Sequence, residues 1–319
     1  MTDRVAQLRD DILRAPAALE RLFRAYDSPE SPIAIVLAAL PRERRFAFAG
    51  LGSSRYAGLL AASELRVAGE SAWVEYASTG RPTAPAADLV FVAISASGRT
   101  AEVVAAARRH RGTSVVVAVT NEPGSALASE ADHVLPLHAG AEGAGIATRT
   151  FRATVAVLAM LAGRSPASLV STVADLAVAM ESAEPWVTAT ADALDGAAAI
   201  DVLADAGALG LADQAALMLR EAPRLPAVAH DTGDWLHTAV YLAIPGYRVL
   251  LFPGAAADAE VIAAVERRGG MVLSVPQVPD GDGTTSVFRR TIVESVTVEL
   301  LAAELWRRTA AEEREPSAG

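Results

Sequence analysis

The chain of 319 residues contains no cysteine. Disulfides, thiolate nucleophiles and cysteine metal sites are therefore excluded, and a cytoplasmic location is the expectation. Lysine is missing as well: all 28 basic residues are arginine. No Schiff base can form through a lysine amine, which removes that route of covalent catalysis. Long apolar runs are also lacking. Charges interrupt the alanine-rich segments before they reach the ~20 residues of a membrane span, and Met1-Thr2-Asp3-Arg4 does not open like a signal peptide. No membrane partner is expected. Positive charge is in deficit, with a formal net charge of −10 and a pI near 5.1. That balance argues against nucleic acid as a partner. An anionic ligand would have to be held by local donors rather than by the overall field.

What the chain does have is a hydroxyl-rich turn after a buried strand. Leu89 to Ile94 is an apolar run that reads as a parallel strand, and a helical pattern follows from about Thr100. Between them lies Ser95-Ala96-Ser97-Gly98-Arg99-Thr100. Such a turn places three hydroxyls and free backbone N–H groups at a helix N-terminus, a site suited to a phosphate. The same residues also make an ordinary capped turn. A second turn of this kind, Gly50-Leu51-Gly52-Ser53-Ser54, leaves the strand Phe46 to Ala49.

Strands and helices alternate around these turns. Val5, Leu8, Ile12, Leu19, Leu22 and Phe23 predict helices over 3–26, broken at Pro16, and a further helix runs from Pro32 to Leu40. A helix over 55–67, strands at 71–76, 114–119 and 134–137, and a helix over 100–109 complete the first alternation. Helices then dominate from Thr148 to about Ala197. A second alternation follows, with strands at 199–203, 247–252 and 271–275 and helices at 211–221 and 256–268. A loop over 276–285, a closing helix from about Thr291 to Ala311 and a frayed tail from Glu312 end the chain. The expectation is an α/β protein with two tandem flavodoxin-like α/β/α units, parallel sheets, and helical N- and C-terminal segments. The expected divisions are 1–30, 31–165 and 166–319. Both hydroxyl turns fall at carboxyl ends of strands, where ligands bind such sheets. The turns of the second half, Ala206-Gly207-Ala208-Leu209-Gly210 and Pro253-Gly254-Ala255-Ala256, are poor in hydroxyls.

Taken together, Gly-Ser-Ser, Ser-x-Ser-Gly-x-Thr, Asn121-Glu122-Pro123-Gly124-Ser125 and two tandem sheet units resemble the sugar isomerase (SIS) domain proteins. The branch most resembled is the isomerase half of glucosamine-6-phosphate synthase, with free-standing amino-sugar-phosphate deaminases and deglycases built like it. The resemblance implies that Ser53, Ser54, Ser95, Ser97 and Thr100 contact sugar and phosphate. Ala139 to Phe151 resembles the loop that closes the sugar site, with Glu142 either a sugar-site carboxylate or a loop charge, and Arg149 either a phosphate cover or a helix cap. Leu219-Arg220-Glu221 resembles the segment whose glutamate shuttles a proton between C1 and C2. Gly233-Asp234-Trp235-Leu236-His237 resembles the segment whose histidine assists ring opening, while His230 reads as structural. The implied protein is a homodimer, with His237 serving the partner's site, acting on a small sugar phosphate without metal or organic cofactor.

The roles fit the residue types. A carboxylate shielded from water is a suitable base beside a carbonyl, and histidine exchanges protons near neutrality. Departures from the family pattern are Ala96 for glutamine, Arg99 for glutamate, Thr238-Ala239 for Gly-Pro, and the missing C-terminal lysine segment. With no glutaminase domain in the chain, glutamine-dependent synthesis is not expected. The expected function is a phosphosugar isomerase or deaminase releasing a ketose phosphate, with ammonia or an amine when the substrate is aminated. The alternative is a non-catalytic sugar-phosphate sensor or regulatory protein. A dinucleotide reading of Gly50-Leu51-Gly52 is weaker, because Gly-x-Gly-x-x-Gly is not completed. His110, His133 and His138 have no metal-ligand spacing.

Overall fold

In the computed structural model, residues 2–277 and 286–312 are described. The first half holds a five-stranded parallel sheet. Its strands are β1 (Arg45–Gly50), β2 (Ser71–Tyr76), β3 (Leu89–Ile94), β4 (Val115–Thr120) and β5 (His133–Pro136), in the order β2-β1-β3-β4-β5. That order is flavodoxin-like, with its switch point between β1 and β3. Every residue of β3 is buried, as a central strand covered on both faces requires. The strand alternation divides the core. Phe46, Phe48, Val90, Val92 and Ile94 face one layer, and Ala47, Ala49, Phe91 and Ala93 face the other. Each such fully buried large side chain contributes about 1.5–3 kcal/mol of transfer free energy.

Helices α4 (Ser53–Val67) and α5 (Ala101–His110) connect the strands, and α1 (Thr2–Leu13), α2 (Ala15–Tyr26) and α3 (Pro32–Ala39) precede the sheet. The break at Pro16 is real: Pro16 sits in the first turn of α2, where its missing N–H is harmless. After β5 come α6 (Arg149–Leu161), α7 (Pro166–Leu169), α8 (Ser171–Ser182) and α9 (Glu184–Leu194).

The second sheet is parallel and four-stranded, built from β6 (Ala199–Ala204), β7 (Ala227–Asp231), β8 (Tyr247–Leu251) and β9 (Met271–Ser274) in the order β7-β6-β8-β9. Helices α10 (Leu209–Glu221), α11 (Thr232–Trp235) and α12 (Asp258–Arg267) connect it, and α13 (Val287–Glu312) closes the chain. Strand β7 and helix α11 are additions to the sequence expectation. Ala227-Val228-Ala229-His230-Asp231 has no apolar run because β7 is an edge strand, with Val228 turned to solvent. The closing helix begins at Val287, four residues ahead of Thr291. Residues 278–285 of the expected loop and the tail beyond Glu312 lie outside the described residues. Among the described residues no helix is long and apolar enough to cross a membrane.

Helix packing joins the halves. Helix α4 of the first packs antiparallel on α10 of the second. A Cβ at Gly52 would lie 3.9 Å from Leu217 Cδ2, one at Gly210 only 2.3 Å from Tyr56 O, and one at Gly207 3.4 Å from Ser63 Oγ. Helix α13 runs through the same core, against α1, α6, α8, α9 and α10. There it buries Glu299, whose Oε2 accepts from Arg152 Nη1 at 2.8 Å, both side chains being 1% exposed. Arg152 Nε also donates to Ile292 O at 3.0 Å.

Gly210 is the tightest point of the α4–α10 contact. Gly210→Ala forces a methyl against a backbone oxygen that cannot rotate away. Destabilisation of about 1–3 kcal/mol is expected from overpacking, read as a lower urea midpoint at unchanged m-value.

Candidate functional site

The turn after β3 is braced from below. Gly98 has φ 61°, and a Cβ there would lie 2.0 Å from Ser125 Oγ, so only glycine fits. Ser95 Oγ, buried, lies 3.0 Å from Thr100 Oγ1. Ser97 is exposed and its Oγ accepts from Arg99 N at 3.3 Å; Arg99 itself is exposed. Asn121 ties the turn to its neighbours: its N–H donates to Ala96 O, its Nδ2 to Gly140 O, and its Oδ1 accepts from Ala139 N. The turn thus presents hydroxyls and the first N–H groups of α5 at the carboxyl edge of the sheet.

Ser53 and Ser54 open α4 beside it, across the β1–β3 switch point. Both are half-buried, and among the described residues neither hydroxyl has a hydrogen-bond partner. The antiparallel α4–α10 packing sets Leu217 against Gly52. The last turn of α10, which ends in Glu221, therefore continues past the Ser53–Ser54 turn. Glu221 is exposed as a residue, yet atoms crowding its carboxylate push its pKa above the ordinary range. Arg220 opposes that shift and the charge of Glu142 adds to it. Beyond Glu221 the chain leaves α10 through Arg224, in the left-handed region at φ 61°, a strained conformation for a residue with a side chain.

The α4–α10 cleft also holds a cluster that sequence patterning missed: Arg55, Tyr56, Asp213 and Arg220. Burial raises the Asp213 carboxyl, against Arg55, Arg220 and His230. Burial likewise raises the Tyr56 hydroxyl, with Asp213 adding and Arg220 and Arg55 opposing. The guanidinium of Arg55 lies 4.1 Å over the Tyr76 ring, at the end of β2. The spacing of Asp213, Leu217 and Glu221 on one helical stripe was the one available signal.

Glu142 is engaged in capping. Its Oε1 accepts from Thr148 N at 2.6 Å and Thr150 N at 3.2 Å, and its Oε2 from Thr150 Oγ1 at 2.6 Å. It thus holds the first turn of α6, where a carboxylate is favoured by the helix dipole. Arg149 is turned away from solvent: its Nη2 donates to Asp11 Oδ1 at 2.6 Å and to Ala141 O at 2.5 Å. Asp11 Oδ2 also accepts from Ala144 N at 3.0 Å, and Arg4 Nη2 donates to Ala144 O at 2.7 Å. The N-terminal helix therefore clamps the 139–148 loop.

His237 stands apart. It is exposed just beyond α11, its backbone N–H donating to Asp234 O at 2.9 Å. Tyr241, Leu242 and Ile244, which follow, are exposed as well. Ser53 and Ser54 thus lie at the end of β1 and Ser95, Ser97 and Thr100 at the end of its neighbour β3, while Glu142 and Glu221 feel each other's charge; nothing described joins the His237 ring to any of them. His230, the neighbouring histidine, lies with its Nε2 3.6 Å from Asp201 Oδ2 and within reach of the Asp213 charge.

Comparison with known proteins gives the following. Residues 39–164 match the SIS domain. Glutamine–fructose-6-phosphate aminotransferase (isomerizing) from Aeropyrum pernix is 33% identical over 259 residues, covering 75% of this chain and 42% of that protein. The enzyme of the same name from Symbiobacterium thermophilum is 31% identical over 278 residues, covering 80% and 45%. The chain spans less than half the length of these relatives. Among solved structures, glucosamine-6-phosphate deaminase from Thermotoga maritima matches with a TM-score of 0.77 at 17% identity, covering 95% of each chain. Tagatose-6-phosphate ketose/aldose isomerase from Escherichia coli matches with 0.77 at 17%, covering 93% and 92%.

The Asp201 carboxylate beside it raises the His230 pKa above 6.5; burial opposes the shift, and the charges of Asp234 and Asp213 add to it. A raised folded-state value means that its stabilisation is complete below pH 6.5 and is lost as pH rises through the folded value. The Tm of the wild type minus that of His230→Gln should therefore shrink from pH 6 to pH 8.5; a constant difference would refute the linkage.

Proposed function

We infer, for a chain whose residues 39–164 belong to the SIS domain family, that it acts on a phosphorylated sugar or amino sugar by moving a proton between C1 and C2. The observation that supports this reading is the packing of α10, which ends in Glu221, against α4, with Leu217 beside Gly52 at the Ser53–Ser54 turn. The phosphate is held at Ser95, Ser97 and Thr100 with the N–H groups of α5, and the sugar hydroxyls meet Ser53 and Ser54. The phosphate serves as a remote handle whose binding energy orients the reacting carbons.

Glu221 is then the base. It takes the proton from the carbon beside the open-chain carbonyl, leaving an enediol, and returns it to the neighbouring carbon. With a 2-amino substrate the same sequence leaves a ketose imine, which water hydrolyses to the ketose phosphate and ammonia. The raised pKa of Glu221 suits both halves of the transfer, since the carboxyl is held closer to the working pH. Glu142 has a supporting part: it holds the start of α6, and its charge sharpens the basicity of Glu221. His237 opens the ring; being exposed and apart from Glu221, it serves the site of a second copy, in a homodimer.

A sensor without turnover is the second reading. It draws on one observation, that Glu142 and Arg149 direct their hydrogen bonds into the protein itself. The test separates the two. Hexose 6-phosphates and their 2-amino forms are screened by thermal shift, since a ligand that binds the folded state raises Tm. Each hit is then assayed for ketose and ammonia. In Glu221→Gln, turnover should fall by about 10²–10⁴-fold, the range of a lost general base, while the Tm shift persists. Wild-type turnover in that variant would refute the mechanism, and a hit without turnover in the wild type would favour the sensor.

A further inference from the structure

A buried carboxylate that the proposed chemistry does not use lies under the second sheet. Asp201, on β6, is 5% exposed. Its Oδ2 accepts from Trp235 Nε1 at 2.7 Å and from the Tyr247 hydroxyl, and His230 Nε2 lies 3.6 Å away. Donors from α11 and β8, and a histidine from β7, thus converge on one oxygen of β6. We propose that Asp201, through Trp235, is the positioning residue for His237. The inference rests on the ring-opening part assigned to His237 above.

The argument begins with the segment that carries His237. Its hydrogen bonds are local: Asp234 N donates to Asp231 Oδ2 at 2.8 Å, and Thr238 Oγ1 to Asp234 O at 2.9 Å. The first of them reaches the last residue of β7. Farther along, Tyr241 and Leu242 are exposed, while Ala239 and Val240 are buried. Trp235, fully buried against the sheet and two residues before His237, is the largest anchor of the segment, in one cluster with Ala239 and Val240. An indole in an apolar pocket could settle in more than one rotation, whereas an N–H bonded to a carboxylate has one. A leucine at 201 would fill the space but would leave that rotation free.

A buried carboxylate is costly unless hydrogen bonds satisfy it. Trp235 and Tyr247 supply them, and His230 stands 3.6 Å off as an ion-pair neighbour, with Asp213 of α10 and Asp234 of α11 the further charges facing it. Asp201 is therefore a directional device rather than a packing residue.

The experiment compares Trp235→Phe, Asp201→Asn and His237→Ala with the sugar phosphate that the wild type turns over, below each variant's Tm. Trp235→Phe keeps a buried aromatic side chain and removes the indole N–H together with part of the ring volume. Its kcat should fall ~10–100-fold, as expected of a group displaced by about an ångström, with KM within about twofold. The double variant with His237→Ala should be no slower than His237→Ala alone, because both act through one group. Should Trp235→Phe fail to fold, Asp201→Asn, which keeps an acceptor oxygen, carries the same test with a partial loss. Wild-type kcat in the folded variant, or losses that multiply in the double variant, would overturn the positioning role while leaving the proposed function intact. Undiminished turnover in His237→Ala would overturn the assignment of His237 and this inference with it.

Discussion

Everything at the site depends on the approach of α4 to α10. Helix α4 starts where β1 delivers Ser53 and Ser54, and α10 ends in Glu221. Gly210 lets the two backbones come close enough that no side chain separates them at that point. Because they run antiparallel, the start of one meets the end of the other. A hydroxyl turn from the first sheet and a carboxylate from the second thus share one edge, although 167 residues of chain separate Ser54 from Glu221. Without that contact each half would be an ordinary α/β layer with an incomplete set of groups.

The cations of this chain are largely engaged in holding it together. Arg149 binds Asp11, Arg152 binds Glu299, and Arg45 binds Asp88. The buried pair of Arg152 and Glu299 crosses the centre of the helical layer, and burial raises the Glu299 carboxyl to about 7 even with the guanidinium beside it. In an acidic chain without lysine, the proposed phosphate site draws on hydroxyls and backbone N–H groups at α4 and α5. Those groups are neutral, directional and already placed by the sheet edge. Asn121 and Gly98 keep their geometry, the first by hydrogen bonds to two loops and the second by the absence of a side chain.

The halves differ in what they contribute. The first has hydroxyls at its switch point. The second has alanine and glycine turns there and offers the end of α10 and the segment after β7. Within that second half, a carboxylate on β6 takes the place that an apolar residue would fill, and it draws α11 onto the sheet through Trp235. Directional bonding there adds to the burial of Thr232, Ala239 and Val240 in a segment whose His237 and Thr238 stay exposed.

Much of the fold was legible in the sequence because burial leaves a periodic trace. The runs at Leu89–Ile94 and Ser71–Tyr76 coincide with β3 and β2 residue for residue. The edge strand β7 left no such trace, since one of its faces meets solvent. Turn chemistry was legible too: Ser95 to Thr100 is a local property of six consecutive residues. What Glu142 and Arg149 touch was not, because their partners, a helix start and Asp11, depend on how the 139–148 loop folds back. Nor was the cluster of Arg55, Tyr56, Asp213 and Arg220, which exists only where two helices distant in sequence meet. The sequence by itself determined the alternation of strands and helices, the hydroxyl turns and the exclusion of thiol and lysine chemistry, all of them local or compositional. Only the tertiary structure decided which groups share a site and which are consumed by packing, because proximity across 100 or more residues is set by the core and not by the chain.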